Sequence, residues 1–187
     1  MRIGTFHSLA LRTLRENGAN ITIIDEYAAQ TLADEALKEQ NINMSAKTFL
    51  RELSRQKNGA ESELSPQLIE GYQQKLAAYQ AADFDDILLN ALTLATDDPN
   101  YGKGTHLLVD EFQDINELQL RLIEAWAKRA DSLFIIGDPD QSIYGFRGSK
   151  ADCFEIFLQK HPQAQTIGLT ENYRSTAEIL NCAQAFL

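Results

Sequence analysis

From residue 105 onward, short apolar runs alternate with longer segments of helical pattern, and this rhythm constrains the fold more than any other feature of the chain. "HLLVD", "SLFIIGD" and "AQTIGL" have the length of strands. They are followed by "NELQLRLIEAWAKR", "KADCFEIFLQKH" and "STAEILNCAQAFL", each with apolar residues at helical spacing. Strands alternating with helices predict a parallel sheet with helices packed against it. Ligands of open parallel sheets bind at the carboxyl ends of the strands. "VDEFQD" and "GDPDQ" both fall at such ends. The last helix carries Ser175 followed by Glu178, the spacing of a capping box.

The first half of the chain has a different texture. Residues 5–16 read as a helix, with Leu9, Leu11 and Leu14 among arginines and a stop signal in "ENG". Residues 25–95 read as mostly helical. "DEYAAQTLADEALKEQ" opens on Asp25 as a cap, and the segment from Ser65 and Pro66 has a favoured helix start. The polar piece "SRQKNGAESEL" between them reads as a loop, and "ITII" (21–24) is the one strand-like run in this zone. At 187 residues the chain can bury one good core, or one core plus a small subdomain.

Composition excludes several classes. No run of 18 apolar residues occurs, so no membrane span is expected, and the N-terminus lacks the apolar stretch of a signal peptide. Cys153 and Cys182 match no zinc or redox spacing, which points to a reducing cytoplasm and two structural thiols. His7, His106 and His161 are scattered, which argues against a histidine metal cluster. The net charge of −10 is unlike that of a generic nucleic-acid coat. It is unevenly spread, with −6 over residues 17–90 and −4 over the rest. Bulk charge therefore does not decide whether DNA is a partner.

Five stretches could carry chemistry. In "LLVDEFQD", Asp110 at a strand end can hold Mg²⁺ and Glu111 can polarise an attacking water. Asp114 in the same stretch can equally cap a helix starting near Ile115. In "IIGDPDQSIYGFRGS", Gln141 can hydrogen-bond a terminal phosphate or the attacking water. Tyr144 and Phe146, with Arg147 beside them, suit stacking on unpaired bases plus a phosphate contact, or burial in a packed loop. Arg174 in "LTENYRS" can neutralise charge on a transferred phosphoryl group or form a surface ion pair. In "GTFHS", Thr5, His7 and Ser8 can donate to phosphates and Phe6 can stack on a base. "DFDDILL" completes the series.

In their order and spacing, "GTFHS", "DFDDILL", "LLVDEFQD", "IIGDPDQSIYGFRGS" and "LTENYRS" resemble the motif series of superfamily-one DNA helicases of the UvrD, PcrA and Rep family. The resemblance reaches from residue 4 to about residue 182. It implies a partial RecA-like parallel sheet with flanking helices, interrupted by a helical insertion of the 1B type. Residues 1–16 would open the RecA-like portion, 17–90 would be the insertion, and 91–187 would complete the α/β part. The resemblance implies that Asp110 coordinates Mg²⁺, as a Walker B acid, and that Glu111 is the base for water attack on ATP. Gln141 would sense the γ-phosphate and Arg174 would contact it. Thr5, Phe6 and His7 would touch the DNA strand, and Tyr144 and Phe146 its bases. Phe146 stands where many relatives carry Trp, which implies weaker stacking. Arg147 would pair near Glu111 or the DNA.

A phosphate-binding loop needs G-x-x-x-x-G-K-[ST], and these residues contain none; "YGKGTH" has the Gly-Lys pair without the rest. The chain therefore reads as an internal piece of a longer cytoplasmic helicase acting on DNA, for instance in repair. Its partners would be ATP, single-stranded or duplex DNA and a second RecA-like domain, and the isolated chain would be inactive. Two other readings stand beside it: a non-catalytic module that binds single-stranded DNA, and the helicase part of a helicase–nuclease recombination complex.

Overall fold

The computed structural model describes residues 1–141 and 153–185. The described chain divides into two compact units, Met1–Phe154 and Glu155–Leu187.

The first unit holds two cores. Helix α1 (Phe6–Glu16) opens it, followed by strand β1 (Thr22–Ile23) and helices α2 (Glu26–Glu39), α3 (Ala46–Lys57) and α4 (Pro66–Ala78). Strand β2 (Ala81–Ala82) pairs parallel with β1, and α5 (Phe84–Asp97) follows at once. One core lies between α2, α3 and α4, with Leu37, Phe49, Leu68, Tyr72 and Leu76 buried and Phe49 packed edge-on to Tyr72 at 5.5 Å. The other core joins α1, α5 and α6 (Glu117–Ala127) through Ala10, Leu14, Ile87, Leu88, Leu118 and Leu122. Residues 84–90, within the stretch read as insertion, thus lie on a helix whose buried face belongs to the α/β core.

The sequence caps its helices with local side chains. Thr5, Asp25, Ser45 and Ser65 each accept the N–H of the residue three positions on, at the starts of α1, α2, α3 and α4. "SRQKNGAESEL" is only partly a loop, because its first four residues form the last turn of α3. Asp83 and Asp86 form a reciprocal capping box on α5.

Strands β3 (His106–Val109) and β4 (Ser132–Ile135) pair parallel with His106 opposite Ser132 and Val109 opposite Ile135. Both carboxyl ends therefore lie side by side, as the alternation predicted. Val109 is buried and Leu107 packs against the α1–α5–α6 core. On the opposite face Leu108 is 70% exposed and Phe134, its register partner, 51%. Parallel sheets ordinarily bury both faces.

The cap of α6 differs from the expectation. Asp114 closes a short 3₁₀ turn, Phe112–Asp114, and does not cap the helix. Asn116 does, in a capping box with Gln119: Asn116 accepts the Gln119 N–H at 2.9 Å and Gln119 accepts the Asn116 N–H at 3.1 Å. The 3₁₀ turn delays the helix by two residues, so the capping side chain comes from further along. Asn116→Ala should lower stability by about 1 kcal/mol, read from the urea midpoint of unfolding.

The second unit holds most of α7 (Cys153–Lys160) and all of α8 (Ala177–Gln184). The expected strand "AQTIGL" has no regular secondary structure, and Ile167 and Leu169 are exposed. An apolar run becomes a strand only where a neighbour completes its ladder, and among the described residues none pairs with it. The expected capping box from Ser175 is also displaced. Thr176 occupies the cap position, and Ser175 instead donates its N–H to Asn172 Oδ1 at 2.8 Å. Cys153 is buried and Cys182 exposed, so only the former has the setting of a structural thiol.

Candidate nucleotide and DNA site

The site is built where β3 and β4 end. Past Val109 the two chains stay in step: Ile136 donates its N–H to Val109 O at 2.8 Å, and Phe112 donates to Ile136 O at 3.0 Å. Between them the chain turns sharply at Glu111, which adopts a left-handed conformation with φ +52°. For a residue with a Cβ this costs on the order of 1–3 kcal/mol and persists only where the surroundings fix it. Phe112 is the anchor. It is fully buried, packs edge-on against Phe154 at 5.2 Å, and accepts a hydrogen bond from the Cys153 thiol at 3.4 Å.

This turn leaves Asp110 and Glu111 exposed at the mouth of the strand pair. Asp110 Oδ1 accepts the Glu111 N–H at 2.9 Å. Gln113 is buried and donates from Nε2 to Glu111 Oε2 at 2.7 Å. Its Oε1 accepts the Asp138 N–H at 3.1 Å. Asp138 Oδ2 in turn accepts from Gln141 Nε2 at 2.7 Å, and Asp138 Oδ1 accepts the Asp140 N–H at 3.1 Å. A continuous chain of hydrogen bonds thus runs from Glu111 through Gln113 and Asp138 to Gln141. The structure brings together three of the residues singled out from sequence, Asp110, Glu111 and Gln141. Sequence reasoning gave no role to Gln113, Asp138 or Gly137, although an amide two positions past an acid at a strand end was legible in "DEFQD".

The "GTFHS" residues sit at the start of α1. Thr5 caps the helix, its Oγ1 accepting the Ser8 N–H at 3.3 Å. Phe6 is half-buried and stacks against Trp126 at 6.4 Å with the rings 17° from parallel. His7 is half-buried and edge-on to Phe84 at 5.4 Å. Burial pulls its imidazole below the usual histidine range, against the opposing charge of Asp85. Arg174 lies in the second unit, is exposed, and donates its backbone N–H to Asn172 Oδ1 at 2.9 Å. Tyr144, Phe146 and Arg147 lie outside the described residues.

Residues 25–162 match the profile of the UvrD/REP helicase N-terminal domain. The chain belongs to this UvrD-helicase family. Its UvrD-type character extends over almost the whole sequence. It is 33% identical to the ATP-dependent DNA helicase PcrA of Leuconostoc citreum, over 99% of this chain and 28% of that protein. The same identity holds to the PcrA helicases of Staphylococcus epidermidis and Staphylococcus aureus, over 97% of this chain and 28% of theirs. The chain thus spans just over a quarter of the length of these curated relatives. Among the described residues, no helix of this UvrD-family chain is long and apolar enough to cross a membrane.

Proposed function

We propose that this chain supplies part of the ATP-hydrolysing and DNA-gripping machinery of a cytoplasmic, ATP-dependent 3′-to-5′ DNA helicase. The observation that carries the reading is the placement of Asp110, Glu111 and Gln141 at two adjacent parallel strand ends, joined by one hydrogen-bond chain. Exposed carboxylates are the hard oxygen ligands Mg²⁺ takes, so the residues fit that ion, with Asp110 as its holder. Bound there, Mg²⁺ neutralises negative charge on the phosphates of ATP. Glu111 accepts the proton of the water that attacks the γ-phosphorus. Gln141 senses the γ-phosphate and couples its presence to DNA. Arg174 adds positive charge to the transferred group.

Thr5, Phe6, His7, Tyr144, Phe146 and Arg147 form the DNA-facing set, with the ring of Phe6 held by Trp126 so that the neighbouring Thr5 and His7 are fixed. The exposed apolar face of Leu108, Phe134 and Ile136 suits cover by further elements of a RecA-like domain. The boundary between that domain and the 1B-like insertion lies best just before α5.

These 187 residues contain no phosphate loop, so alone they should not hydrolyse ATP even with single-stranded DNA present. Steady phosphate release by the isolated chain, lost on Glu111→Gln, would overturn that statement. For the DNA-facing set, Tyr144→Ala and Phe146→Ala should each weaken single-strand binding by about 1–3 kcal/mol in fluorescence titrations. Binding untouched by both changes returns the two rings to the protein interior. A full-length gene product that binds DNA without turning over ATP would favour a non-catalytic binding module.

A further inference from the structure

We propose that Gln113 is a positioning residue that holds the Glu111 carboxylate in its working orientation and ties it to the loop carrying Asp138 and Gln141. The inference rests on the proposed role of Glu111 in ATP hydrolysis. Three observations carry it.

Gln113 is only 2% exposed, yet its side-chain amide spends both ends on the site: Nε2 donates to Glu111 Oε2 at 2.7 Å and Oε1 accepts the Asp138 N–H at 3.1 Å. An amide is suited to this, since one end donates and the other accepts. Second, Glu111 sits in the left-handed region at φ +52°, a conformation that surrounding contacts must fix, and Gln113 grips its side chain directly. Third, the backbone across the strand pair makes room for this amide. A Cβ on Gly137 would stand 2.4 Å from Gln113 Oε1 and 2.9 Å from the Phe112 N. Glycine is needed at 137 because the Gln113 amide and the Phe112 backbone fill that space.

Gln113 therefore does more than fill the core. A shift of Glu111 by about an ångström is enough to cost on the order of a hundredfold in rate. The same amide makes the acid of one strand end sensitive to the conformation of the next.

The test uses the full-length gene product, with ATP turnover measured in the presence of single-stranded DNA. Gln113→Met keeps the bulk and removes both hydrogen bonds; kcat should fall about tenfold to a hundredfold, with KM for ATP within about twofold. Gln113→Glu keeps the acceptor for Asp138 but loses the donor to Glu111. It also sets a second carboxylate against Glu111, so its kcat should fall at least as far as that of Gln113→Met. Gly137→Ala should reproduce the kcat loss by displacing the amide. Should Gln113→Met fail to fold, kcat and KM of Gln113→Glu and Gly137→Ala decide. Parental kcat in Gln113→Met, or in both Gln113→Glu and Gly137→Ala, overturns the positioning role when Glu111→Gln is inactive in the same assay. Turnover that survives Glu111→Gln overturns the underlying reading of Glu111 instead.

Discussion

Lys57→Met is expected to destabilise the chain by about 3–5 kcal/mol at neutral pH, a large share of the 5–15 kcal/mol that typically separates folded from unfolded domains. Lys57 ends α3 with its side chain only 7% exposed, and its ammonium lies 2.7 Å from both Asp83 Oδ2 and Asp86 Oδ1. Both acids belong to the capping box that starts α5, so the ion cluster joins the helical subdomain to the α/β core. Asn58 adds a second tie, donating from Nδ2 to Asp85 Oδ1 at 3.2 Å. Methionine fills the same volume but leaves two part-buried carboxylates facing each other.

The loss should depend on pH. Burial, and then the charge of Asp83, hold the Asp86 carboxyl above the usual carboxylate range, while Lys57 pulls it down. A raised carboxyl stabilises the fold while protonated, and that contribution disappears as pH rises through its folded-state value. Without Lys57 the upward shift grows, so the deficit should be larger at about pH 7.5 than at about pH 4.5. Urea unfolding of parent and variant at the two pH values measures this. An equal deficit at both would show that packing, and not charge, sets the cost.

The cluster also shows what the sequence could and could not reveal. "DFDDILL" was legible as a motif, but its chemistry was not, because the partner Lys57 lies 26 positions away from Asp83 in a segment that matched no motif. Local signals did better. The helix starts at Asp25 and Ser65 and the strand-like "ITII" follow from side chains next to the positions they govern. Adjacent strand ends at "VDEFQD" and "GDPDQ" followed from the alternation of periods. "AQTIGL" misled, since an apolar run specifies a tendency and pairing needs a neighbour. Asp114 misled too, because a left-handed Glu111 and a 3₁₀ turn pushed the start of α6 back to Asn116. Gln113 was visible as a residue type, while its double role depends on the register of β3 against β4 and on the space left by Gly137.

Glu111→Gln is the change with the largest expected effect on activity. It preserves the size of the side chain and removes its ability to take a proton, while Asp110 and the Gln113 acceptor and donor pattern remain in place. Removal of a general base typically lowers turnover by about 10²–10⁴-fold. On the proposed reading, in which Asp110, Gln141 and Arg174 serve the phosphates, binding of ATP should persist. The most direct measurement is therefore ATP turnover by the full-length gene product on single-stranded DNA, with nucleotide binding followed in parallel. DNA-stimulated hydrolysis is expected in the parent protein, with its collapse in Glu111→Gln while nucleotide binding is retained. Undiminished hydrolysis in that variant would contradict the proposed role of Glu111.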